Sequence, residues 1–179
     1  MTRPPFPPPA PIDIRLVSEQ LGRPARDVLG IAARTASGEP TVVATAPRLS
    51  DGTPFPTLYY LTHPAATAAI SHLEAEGLMR ELNERLESDP ELRDRYRAAH
   101  EAYLADRESI ASVPEIAGIS AGGMPHRVKC LHALAAHSLA AGPGVNPIGD
   151  LALELADWSP DDVGEAASAE DGEHRSEEA

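Results

Sequence analysis

The sequence predicts an α+β domain: a small antiparallel sheet of about three strands, with several helices packed on one of its faces. Three observations carry that expectation. Runs of β-branched or small apolar residues come early, at Val28 to Ala33, Thr41 to Ala46 and Thr57 to Thr62. Helical periodicity takes over after Pro64, and strands followed by helices is the order of segregated α+β folds. Aromatic residues make up only 4% of a chain that is 42% hydrophobic, so the core must come mainly from Leu, Ala, Val and Ile.

The elements follow in order. Ile12 to Leu21 reads as a short helix capped by Asp13, with Ile14, Val17 and Leu21 on one face and Gly22 and Pro24 ending it. The first two strands are joined by Ala36-Ser-Gly-Glu-Pro40, a hairpin signal, and Pro47 to Pro56 is a turn-rich connector. The third strand ends at His63-Pro64 and sends Tyr59 and Tyr60 to opposite faces. Helices then run over Ala65 to Glu76, Leu78 to Glu87 and Pro90 to Ile110, the last with Leu92, Tyr96, Ala99 and Tyr103 on an apolar stripe. His72 and His100 take surface or boundary positions on them. Asn146-Pro147 with Gly149 reads as a turn after the final helix, whose C-cap is Gly142.

A chain of 179 residues is one domain by default and long enough to bury a core. Its single cysteine excludes an internal disulfide and suits a reducing compartment. No apolar run approaches the roughly 20 residues of a membrane-spanning helix, and the start of the chain lacks a signal-peptide core. A cytoplasmic protein without membrane insertion is expected. The charge of -13 is unevenly spread, with -8 lying between Asp157 and Ala179. That acidic stretch, and the proline-rich leader of residues 1–11, are expected to be disordered ends flanking a domain of residues 12–156. No nucleic-acid stacking set, paired carboxylates or dinucleotide-binding glycines appear, so no nucleic-acid partner is expected.

Chemistry concentrates between Ser120 and Gly149. A Gly122-Gly123 turn is expected to feed a helix started by Pro125 that carries His126, Cys130, His132 and His137. At about 100° per residue, Val128, Leu131, Ala135 and Leu139 form its core side. His126, Cys130 and His137 fall in one sector, and His132 points away from Cys130.

Several motifs together resemble the bacterial domain of unknown function 501 family. They are Gly52-Thr-Pro-Phe-Pro-Thr-Leu-Tyr-Tyr-Leu-Thr-His-Pro64, Gly122-Gly-Met, Val128-Lys-Cys-Leu-His132 and Asn146-Pro-Ile-Gly149. The resemblance spans roughly Ile12 to Leu155 and implies no established activity. It implies that some relatives carry cysteine where this chain has His63 and another near Thr35, so that this chain lacks part of that pattern. It also implies gene neighbours for a septum-formation initiator and an exopolyphosphatase-type enzyme, hence a protein partner in cell division or polyphosphate metabolism.

Three readings of the motif stand side by side. In the first, His63, Cys130, His132 and His137 supply ligands of the type zinc prefers. In the second, Cys130 is a catalytic thiol with His63 as its base. In the third, Gly122 and Gly123 approach a phosphate-type anion that Arg127 and Lys129 hold at a helix N-terminus. A binding or accessory module with a small Cys/His and Gly-rich pocket is the leading expectation, and a small cysteine enzyme the alternative. The first two readings require the end of strand 3, at His63, to meet Cys130.

Overall fold

The computed structural model describes residues 3–161. An N-terminal helix, α1 (Pro11–Leu21), precedes the strands β1 (Val28–Arg34), β2 (Pro40–Thr45) and β3 (Tyr59–Leu61). Five further helices follow: α2 (Pro64–Glu76), α3 (Leu78–Ser88), α4 (Pro90–Ile110), α5 (Leu131–Ala141) and α6 (Pro147–Leu155). The strands form one antiparallel sheet in the order β1-β2-β3, so the α+β class holds.

Both faces of the sheet are covered, which corrects the one-face expectation. Ala32, Val42, Ala44, Tyr59 and Leu61 point into the main core beneath the later helices. Ile31 and Val43, one residue out of phase, meet Val17 of α1 in a smaller second core. This alternation explains why every residue of β2 is buried. Tyr59 is wholly buried while Tyr60 is 38% exposed, as their opposite orientations require.

Asp13 sits one turn inside α1 rather than at its cap. Its carboxylate accepts the Ala10 N–H at 3.0 Å and both Arg34 guanidinium nitrogens at 2.7 and 2.9 Å, which ties the helix to β1. That charged partner holds the Asp13 carboxyl below its ordinary range.

Packing runs past both expected domain boundaries. Phe6 lies edge-on to Tyr59, and Gly30 of β1 leaves no room for a side chain beside Phe6 and the Pro7 carbonyl. Arg3 donates to Asp106 of α4, which also accepts from the Tyr59 hydroxyl at 2.8 Å. At the other end, the Trp158 ring packs against His63 and the Pro160 carbonyl accepts from the Ala36 N–H at 2.9 Å. The leader is therefore attached through an aromatic anchor and an ion pair. The rest of the acidic stretch, residues 162–179, lies outside the described residues.

The segment expected to open a helix at Pro125 does something else. Gly122 and Gly123 are left-handed in succession, with φ of 67° and 93°, and Pro125 follows a cis peptide bond within a turn. The turn closes through Lys129 N–H to Gly122 O at 2.7 Å. Asn83 of α3 then holds both backbone groups of Val128, accepting its N–H at 2.9 Å and donating to its carbonyl at 3.0 Å. With these groups committed elsewhere, helix α5 begins only at Leu131, and Cys130 is its extended N-cap residue. Asn146 does not form a simple turn either. Its side chain accepts the Gly149 N–H and caps α6, and Gly149 brings that helix against the Leu134 carbonyl of α5.

Candidate metal and thiol centre

The helix start at Leu131 changes which side chains meet. Cys130, with φ of -155° and ψ of 110°, lies outside the helical turn, so the two-residue offset that would separate it from His132 does not apply. Instead Cys130 Sγ, a His132 ring nitrogen and a Glu74 carboxylate oxygen lie within 4.8 Å of one another. Glu74 comes from α2, where Thr67, Ser71 and Glu74 follow one another at helical spacing along the side facing α5.

All three of those α2 residues engage His132. Glu74 Oε1 lies 3.2 Å from Nδ1, the Thr67 carbonyl 3.2 Å from Nε2, and Ser71 Oγ 3.1 Å from the same Nε2. A carbonyl can only accept, so the Thr67 contact fixes a proton on Nε2 and aims Nδ1 at Glu74. Glu74 Oε1 also accepts the Leu131 N–H at 2.6 Å, so the first free amide of α5 is satisfied by the protein's own carboxylate.

The electrostatics follow from this geometry. The His132 contact lowers the Cys130 thiol below its ordinary value, helped by the Ala133 amide and opposed by burial and the Glu74 charge. The reciprocal effect of the thiol, with Glu74 adding to it, pushes His132 up to about 9. The contact therefore favours the charged pair of a Cys130 thiolate and a His132 imidazolium over the neutral thiol and imidazole.

Of the four expected zinc ligands, only Cys130 and His132 are brought together, and neither His63 nor His137 joins their group. His63 faces Glu39, 3.5 Å from its carboxylate, and packs on Trp158. It is not the base beside Cys130; His132 holds that position. His137 is fully buried, stacked on Tyr59 and edge-on to Tyr103. The Asn146 amide donates to its Nδ1 at 3.2 Å, and burial pushes its pKa down to about 4. This histidine is a neutral core residue. The displaced helix start accounts for the exclusion of His137 and the inclusion of His132, because grouping Cys130 with His137 by angle supposes one continuous helix.

Of the residues expected to hold an anion, Gly122 borders this centre, whereas the charged Arg127 and Lys129 stand exposed on the turn. His126, Arg127 and Lys129 are exposed around the turn, and a side chain on Gly123 would strike the Arg127 carbonyl and the Lys129 side chain. The two glycines serve a tight turn. Sequence reasoning missed Glu74. The polar stripe Thr67, Ser71, Glu74, beside the apolar Ile70 and Leu73, was the available signal.

A cavity of about 480 Å³ opens directly onto Cys130 and His132, with Tyr59, Tyr60 and Leu61 of β3 along one side. Ala121, Gly122 and Ala133 form the other. Among the described residues, no helix is long and apolar enough to cross a membrane.

Comparison with known proteins adds the family. The family model described as "Protein of unknown function (DUF501)" matches residues 31–154. Neither the curated proteins nor the solved structures compared with the chain include a match. The match covers most of the chain and includes Glu74, Cys130 and His132; the chain belongs to this family.

Proposed function

We propose that this DUF501 chain is a metal-binding protein in which Glu74, Cys130 and His132 hold one zinc-type ion, with a further coordination position open to the cavity. The observation that carries the reading is the orientation of His132. Its Nε2–H is donated to the Thr67 carbonyl and its Nδ1 faces the Glu74 oxygen, with the Cys130 sulfur in the same group of ligand atoms. A backbone carbonyl behind the ring is the usual support of a metal-bound histidine. The spacing suits the role. Tetrahedral zinc bonds of about 2.0–2.3 Å place neighbouring ligand atoms about 3.5 Å apart. The Glu74 and His132 donor atoms are 3.2 Å apart, and the sulfur lies within 4.8 Å of both residues' ligand atoms.

Charge points the same way. A divalent cation held by a Cys130 thiolate, a Glu74 carboxylate and a neutral His132 would make a centre of no net charge. Three protein ligands with an open position is the pattern of zinc sites that act on a bound molecule rather than purely brace a fold.

A second reading takes Cys130 as a nucleophile without metal. It is favoured by the imidazole contact that lowers the thiol pKa. Metal analysis of the purified full chain separates the two. The metal reading predicts about one zinc per chain, lost in Cys130→Ser and His132→Ala and retained in His63→Ala. Metal-free protein whose thiol reacts rapidly with iodoacetamide, and slowly in His132→Ala, would favour the thiol reading instead.

A further inference from the structure

We infer that the open position of this centre receives a small uncharged ligand with an apolar body and a single nitrogen, oxygen or sulfur donor, and that it discriminates against phosphates and carboxylates. The inference rests on the metal reading and names the ligand class that reading leaves open. It comes from the walls of the cavity.

Tyr59, Tyr60 and Leu61 are consecutive, and consecutive strand residues point to opposite faces. A cavity touched by all three must therefore lie along the outer edge of β3, the strand paired only with β2. Ala121, Gly122 and Ala133 line the cavity without polar side chains, and Thr57, Thr67 and the tyrosines add polar groups that carry no charge. A volume of about 480 Å³ is within the range of small-molecule pockets.

Among the described residues, no lysine, arginine or carboxylate lines this space. Arg127 and Lys129, the nearest cations in sequence, project from the exposed turn instead. The ion's own charge is balanced by Cys130 and Glu74. An anion entering would leave water, meet mostly apolar walls with only uncharged polar groups, and find no compensating positive side chain. The protein's formal charge of -13 adds no long-range attraction for it. An uncharged ligand loses nothing by this and gains from contact with Leu61, Ala121 and Ala133.

The test uses the full chain loaded with cobalt(II), whose visible absorption reports its ligands. Pyridine and tetrahydrothiophene, both uncharged at neutral pH, should perturb the spectrum at concentrations at least about tenfold below those of inorganic phosphate or acetate, equivalent to about 1.4 kcal/mol. Ala133→Leu, which fills the cavity from α5, should keep bound cobalt and lose both responses. Tyr60→Lys, which places a cation at the exposed rim, should raise the phosphate response. Cobalt bound stoichiometrically with phosphate preferred, or with responses unchanged in Ala133→Leu, overturns the inference and leaves the metal reading standing. Failure to bind cobalt removes both.

Discussion

At the scale of single residues, His132 and Asp13 show how one partner decides what a titratable group can do. His132 is aimed by Thr67, and its other nitrogen is thereby committed to the Glu74 and Cys130 side. Asp13 works differently, as a structural anion between the start of α1 and Arg34. Because its folded pKa is lowered, its contribution is fully present above the unfolded value of about 3.9. That contribution is lost as pH falls through the still lower folded value. Asp13→Ala should cost about 1–2 kcal/mol at neutral pH, moderated by the exposure of Arg34. Denaturant titrations should show the gap between variant and parent shrinking in acid below about pH 4. A gap independent of pH would mean that the lost contacts are not those of the carboxylate.

At the scale of elements, the turn over residues 120–130 positions the centre, and Asn83 holds that turn. Asn83→Ala removes two hydrogen bonds to Val128 and should cost about 2 kcal/mol in thermal or chemical unfolding. It should also weaken zinc binding, because Cys130 leaves the turn directly after Val128. Gly149→Ala sets propensity against packing. Alanine favours a helix, yet its methyl would meet the Leu134 carbonyl, so a loss of about 2 kcal/mol is expected. These elements also mark what the sequence made legible. Periodicity and turn signals located all three strands and the helices from α1 to α4, because each is governed by its own apolar pattern. The start of α5 was not legible, since Pro125 and the residues after it look helix-compatible, and contacts from distant residues, Asn83 and Tyr96, engage their backbone outside a helix. Cys130 and His132 were identifiable from composition; Glu74, more than fifty residues earlier in the chain, was joined to them only by the packing of α2 on α5.

At the scale of the whole molecule, the ends reinforce the sheet from both sides. Phe6 covers β1 and Tyr59, while Trp158 and Pro160 reach back to His63 and Ala36. Ending the chain after Ala156 removes a half-buried indole and should cost about 1–2 kcal/mol, read as a melting temperature a few degrees lower; an unchanged melting temperature would mean that Trp158 contributes no net packing. The centre itself joins the two halves of the helical layer, with Glu74 contributed before the long helix α4 and Cys130 and His132 after it. X-ray absorption at the zinc edge of the metal-loaded protein tests that assembly most directly. The account predicts one sulfur at about 2.3 Å together with nitrogen and oxygen ligands at about 2.0–2.2 Å, the sulfur shell disappearing in Cys130→Ser. A zinc bound through nitrogen and oxygen alone in the parent protein would contradict it.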